Sequence, residues 1–128
     1  MIDTEREISF GQEGEYLAKC YLERKGYIFI RTNYWTKHGE IDLIMQDKDD
    51  LVFVEVKTRT FHSASIFGRA TKRIDDDKKR HIKYASKVFR GIEKRFSHLT
   101  PRYDEVEIYI DTDHNNRIVI NHIEAAFY

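Results

Sequence analysis

The chain has 128 residues, room for one domain with a continuous core and no need of disulfides. Hydrophobic residues make up 41% and charged residues 34%, with eight Tyr and eight Phe, which excludes a disordered polyelectrolyte. Formal net charge is zero, yet twelve Lys/Arg against four Asp/Glu lie between Arg69 and Arg102, so a phosphate-binding face and a solvated helix surface both fit the charge pattern.

The stretch Met1–Glu7 is acidic and lacks the apolar run of a signal peptide. No segment reaches the roughly 18 apolar residues that span a membrane, and Cys20 is the only cysteine. A cytoplasmic protein without membrane attachment is the expectation. Phe10 to Lys25 reads as a helix, with Gly14, Leu17, Ala18, Tyr21 and Leu22 at helical spacing and Gly26 suited to the residue after its end. Cys20 falls inside that pattern as a small buried hydrophobe. Tyr27 to Asn33 is rich in strand formers. Glu40 to Gln46 and Leu51 to Thr58 are two further strands joined by the polar turn Asp47–Asp50.

Phe61 to Arg73 has no clean period and reads as a loop. Asp75 to Phe96 reads as a second helix, with Ile82, Ala85, Phe89, Ile92 and Phe96 as its apolar stripe. Asp75 to Asp77 favour its N-terminus through the macrodipole. Pro101 marks the break after it, and Tyr103–Asp111 with Arg117–Ile123 form a closing hairpin. The order is α-β-β-β-α-β-β, one α/β domain over residues 1–128.

The central hairpin carries the chemistry. Alternation puts Val52, Val54 and Val56 on one face and Phe53, Glu55 and Lys57 on the other. On the preceding strand Ile41, Leu43 and Met45 share a face, and Glu40, Asp42 and Ile44 the opposite one. Antiparallel pairing across a four-residue turn sets Gln46 against Leu51, Met45 against Val52, Leu43 against Val54 and Ile41 against Val56. The apolar faces then match, which fixes the register. Continued, that register places Asp42 opposite Glu55 and Glu40 opposite Lys57.

Two opposed carboxylates destabilise a sheet, and apolar company adds a desolvation cost. A divalent cation such as Mg²⁺ or Mn²⁺ removes both penalties, polarises a phosphoryl oxygen and lowers the pKa of bound water. Lys57 is cast as the stabiliser of developing phosphorane charge first, and as a general base second. The competing reading places both acids at strand ends in water, with Glu40 and Lys57 as an ordinary cross-strand ion pair.

An acidic residue on one strand followed by Glu-X-Lys on the next resembles the core of the PD-(D/E)XK nuclease superfamily, here Asp42 and Glu55-Val56-Lys57 with twelve residues between the acids. Gly11-Gln12-Glu13-Gly14-Glu15, Gly26-Tyr27, Gly39 to Ile44, Phe53 to Arg59, Phe67-Gly68 and Ala125-Ala126-Phe127 together resemble the YraN-type family of uncharacterised bacterial proteins. That family is similar to archaeal Holliday-junction resolvases. The resemblance implies a restriction-endonuclease-like fold, a central mixed β-sheet flanked by helices, and an endonuclease that hydrolyses DNA, including branched forms. It implies a metal held by Asp42, Glu55 and the backbone carbonyl of Val56, with Glu15 as an additional acid. The proline that names the superfamily motif is absent, and Ile41 stands before the Asp. A four-way junction has two-fold symmetry, so a resolvase-like activity implies a homodimer. The rival function is a nucleic-acid-binding module that keeps the fold but does not cut.

Arg59, Arg69, Lys72 and Arg73 flank the loop expected at the site's mouth and are the candidates for DNA contact. Lys78, one turn before Ile82, either snorkels or points into the site. Glu15 has an alternative as an exposed acid near a helix N-terminus. The six histidines show no zinc spacing, and His98 and His114 are expected in solvent. Trp35 with Tyr34 reads as core or loop packing, with stacking on an unpaired base as the alternative.

Overall fold

A computed structural model of the chain describes residues 10–61 and 74–128, with the backbone alone at residues 10–12 and 61. The elements are α1 (Phe10–Arg24), β1 (Ile28–Thr36), β2 (Gly39–Asp47), β3 (Asp50–Phe61), α2 (Asp76–Ile92), a 3-10 turn at Lys94–Phe96, β4 (Thr100–Asp111) and β5 (Arg117–Phe127). They follow the expected α-β-β-β-α-β-β order. Among the described residues no helix is long and apolar enough to cross a membrane. Most of the Phe61–Arg73 loop, with Arg69, Lys72 and Arg73, lies outside the described residues.

The five strands form one mixed sheet in the order β1-β2-β3-β4-β5. β3 and β4 are parallel and every other pair is antiparallel. A parallel pair needs a crossover, and α2 lies on it. The two helices cover opposite faces. Against α1 the core holds Ala18, Leu22, Leu43, Met45, Val52, Val54, Val106 and Ile108. Against α2 it holds Ile41, Ile44, Leu51, Phe53, Ile82, Ala85, Phe89 and Tyr103. β3 alternates between them, so its valines serve one core and Phe53 the other.

Asp75 caps α2 by accepting from the Lys78 N–H at 2.8 Å. That helix ends at Ile92, four residues short of the expected Phe96, after Gly91 weakens its last turn. Ile92 is exposed rather than part of the stripe. Phe96 still reaches the core, because the 3-10 turn brings its ring 5.9 Å from that of Phe89. β5 runs four residues past the expected Ile123, and Phe127 stacks on Tyr103 at 5.0 Å.

β1 is irregular. Its pairing with β2 shifts between Phe29 and Arg31, and Asn33 has a left-handed backbone (φ 51°). These breaks leave Tyr34 packed edge-on against Phe89 at 5.2 Å and Trp35 in solvent.

The β2–β3 turn is pinned by a charge cluster. Arg102 donates to Asp47, Asp50, Asp104 and the Tyr27 hydroxyl at 2.6–3.0 Å. Asp104 is fully buried and also accepts from His122 Nε2 at 2.8 Å and the Ala125 N–H at 3.0 Å. Burial opposes its charge, but these bonds outweigh burial and hold Asp104 below the usual carboxylate range. A depressed acid contributes stability above its unfolded pKa, and that stability is lost as pH falls through the folded value. Asp104→Asn leaves Arg102 half-matched, so we expect a loss of about 3–5 kcal/mol at pH 7 by chemical denaturation. The deficit should narrow as the wild type is taken below pH 4.

Candidate active site

The predicted register holds from Gln46–Leu51 through Leu43–Val54 and stops there. Beyond it β2 stays paired with β1, through Ile41–Tyr34 and Glu40–Trp35, while β3 stays paired with β4. The expected pairings of Ile41 with Val56, Asp42 with Glu55 and Glu40 with Lys57 do not form. The cause is Asp42, whose Oδ2 accepts from the Val56 N–H at 2.9 Å. A side chain thus takes the place of a ladder carbonyl, and the strands part around it. Ile41, expected beside Leu43, packs into the opposite core against α2.

The parting brings the two acids together through their side chains. Burial, then the charge of Glu55 and a shared hydrogen bond with it, push Asp42 up to about 7 against the pull of the Val56 N–H and Lys78. Glu55 is 8% exposed, and among the described residues its Oε1 has no hydrogen-bond partner. Its Oε2 lies 3.4 Å from Lys78 Nζ. Lys78 therefore points into the site. Burial works against its ammonium, but Glu55, Asp42 and Glu40 together raise its pKa.

Two more acids border the pair. Glu15 is carried by α1, and Gly14 lets that helix approach β3 so closely that a Cβ there would meet Thr58 Oγ1. Burial and the charges of Asp42 and Glu40, resisted by a hydrogen bond with Asn33, push Glu15 up to about 7. A cavity of about 230 Å³ opens beside it between α1 and β1. Glu40 is raised by burial and by Asp42, with Lys78 opposing.

Lys57 reaches β4, where its Nζ is 3.9 Å from Glu105 Oε1. Glu105 and Glu107 sit in parallel register beside Glu55 and Lys57, both buried. Burial, then a shared hydrogen bond and the charge of Glu107, push Glu105 up to about 7 against Lys57 and Arg59. Glu107 accepts from Asn121 at 2.9 Å through Oε1, while Oε2 has no hydrogen-bond partner among the described residues. Sequence reasoning passed over this second pair. Its signal was present, since Glu105-Val106-Glu107-Ile108 repeats the acid-apolar alternation of Glu55-Val56-Lys57. Arg59 is exposed at the end of the same band. His98 and His114 lie in solvent as expected, whereas His122 is buried in the Asp104 cluster.

Among the described residues no three His, Cys, Asp or Glu side chains form a ready-made metal cage. The donors that fit a divalent ion are the Asp42–Glu55 pair. Burial and the charge of Glu55 hold Asp42 towards its protonated form, and among the described residues the buried Glu55 Oε1 has no hydrogen-bond partner. A cation can replace that proton and satisfy that oxygen.

The fold and site together define an α/β protein with paired carboxylates at a strand divergence, flanked by two lysines. The sequence profile described as uncharacterised protein family UPF0102 matches residues 14–108, and the chain belongs to that family. A UPF0102 protein of Caldanaerobacter subterraneus subsp. tengcongensis is 38% identical over 117 residues, covering 91% of this chain and 93% of its own. One from Carboxydothermus hydrogenoformans is 39% identical over 115 residues, covering 89% and 91%. One from Vibrio parahaemolyticus is 37% identical over 99 residues, covering 77% and 79%.

A raised acid favours folding below its unfolded pKa, and that contribution is lost as pH rises through the folded value. For Asp42 the window runs from about 4 to about 7. Asp42→Asn keeps an oxygen for the Val56 N–H and removes the charge. At pH 8 without divalent ions we expect this variant to melt several °C above the wild type, a gain on the order of a few kcal/mol. The gain should shrink towards pH 4. Added Mg²⁺ should raise the melting temperature of the wild type and not of the variant.

Proposed function

We propose that this protein is a Mg²⁺- or Mn²⁺-dependent endonuclease that hydrolyses DNA phosphodiester bonds, with structured DNA as its target. The observation that carries the reading is the Asp42–Glu55 pair: burial and the charge of Glu55 push Asp42 up to about 7, and among the described residues Glu55 Oε1 is buried without a hydrogen-bond partner. Asp42 and Glu55, with the Val56 carbonyl, would hold the metal. When bound, it would polarise the phosphate and acidify water.

The chain's own groups do the rest. Lys78, brought to Glu55 by the capped first turn of α2, places an ammonium where a phosphate would arrive. Lys57 is held near the same strand by Glu105, and its role is to stabilise charge that builds on the phosphoryl oxygens. Glu15 and Glu40 border Asp42 and confine the position of an incoming cation. Arg59, in solvent at the end of the band, serves as a phosphate contact.

The test is a cleavage panel of four-way junction, flap, single-stranded and duplex DNA with each metal. Wild type should cut at least one of these, and chelation should stop it. Asp42→Ala, Glu55→Ala and Lys57→Ala should each lower the rate at least about 100-fold, as loss of a charge-stabilising group does. Salt-sensitive binding without any cutting would replace this reading with a non-cleaving module of the same fold.

A further inference from the structure

Trp35 is the only tryptophan in the chain, and it is 72% exposed. Its neighbour Tyr34 packs into the core against Phe89, so alternation sends Trp35 to the other side of β1. Its partner across the ladder is Glu40. Glu40 in turn lies two residues before Asp42 on β2. Directly paired residues have Cβ atoms about 4.5–5.5 Å apart. The indole therefore stands one strand pair from the candidate catalytic acids.

The turn next to this ring is closed by hydrogen bonds. Thr36 Oγ1 donates to the Gly39 carbonyl at 2.8 Å and accepts from the Gly39 N–H at 3.0 Å, which closes the β1–β2 turn. The turn is seated on α2, since a Cβ at Gly39 would lie 2.6 Å from the His81 carbonyl oxygen. The His38 ring meets Tyr84 edge-on at 4.9 Å. A large aromatic surface thus stands in water beside a hydrogen-bonded hairpin seated on α2. Lys37 and His38 follow it in the turn, both exposed, and offer donors to a phosphate.

We propose that Trp35 is a stacking platform for an unpaired base next to the phosphate held at Asp42 and Glu55. The placement of that phosphate rests on the nuclease reading above; the stacking does not. Every base has a π-face, so base–aromatic stacking tolerates any sequence. An intact duplex keeps its bases stacked on each other and offers no free face. Trp35 thereby directs the site towards single strands, flaps and junctions with open bases, and away from continuous duplex.

The indole reports its own contacts. Full-length protein in EDTA at low salt is titrated with a dT oligonucleotide, a flap and a blunt duplex. Tryptophan emission and the anisotropy of labelled DNA are followed together. Stacking predicts that dT and flap quench the emission as they bind, while duplex binds with little change. Trp35→Ala should weaken dT and flap binding about 5- to 100-fold and leave duplex binding unchanged, and Trp35→Phe should restore most of the loss. Binding with no change in emission overturns the proposal. So does a Trp35→Ala protein that binds dT as the wild type does, or no binding of dT at low salt. Emission that depends on protein concentration without DNA, with a dimer lost in Trp35→Ala, assigns the ring to a contact between copies and also overturns it. If quenching holds but no metal supports cleavage, the nuclease reading fails and the stacking platform stands. If cleavage holds but quenching is absent, only the platform fails.

Discussion

One hydrogen bond, from the Val56 N–H to the Asp42 carboxylate, decides the form of the centre of this molecule. An antiparallel ladder normally continues until its strands run out. Here it stops at Leu43–Val54 because a side chain has taken the next donor. β2 then follows β1, and β3 follows β4. Around this parting lie acids from three elements that act on one another through charge: Glu15 from α1, Glu40 and Asp42 from β2, and Glu55 from β3. Without the divergence Asp42 and Glu55 would be ordinary cross-strand neighbours, and Ile41 would not reach the α2 core.

The two ends of the sheet treat buried charge in opposite ways. At the β2–β3 turn Arg102 and His122 are matched to Asp47, Asp50 and Asp104, and Asp104 accepts a backbone N–H as well. Such a network specifies structure, since each charge has its partner. Among the described residues, the buried Glu55 Oε1 beside the divergence has no hydrogen-bond partner, and neither has Glu107 Oε2 on β4. A fold held by the first cluster can tolerate the second. That division supports reading the unmatched end as a place for a ligand.

Much of this was legible in the sequence. The helical spacing of Leu17, Ala18, Tyr21 and Leu22 and the alternation through Val52, Val54 and Val56 gave the elements, their order and the register as far as Leu43–Val54. The convergence of Asp42 with Glu55 could be anticipated because matched apolar faces leave few registers open. The route was not legible. Alternation assumes a regular ladder, and a carboxylate that captures a backbone donor breaks it locally. Lys57 was misplaced against Glu40 for the same reason, and because nothing local shows that β4 lies parallel to β3. The pairing of Lys57 with Glu105, and the burial of His122, arise from contacts between residues 48 and 18 positions apart. Arg69, Lys72 and Arg73 fall outside the described residues.

The kinks of β1 have a further effect. β1 is an edge strand, and such a strand offers a row of free amides and carbonyls on which a foreign chain can add itself. The register shift after Phe29 and the left-handed Asn33 interrupt that row at two points within nine residues. A bulge twists an edge away from flat pairing. The irregular backbone that leaves Trp35 in water therefore also blunts this edge against fibre-like self-association, so straightening this strand would put solubility at risk.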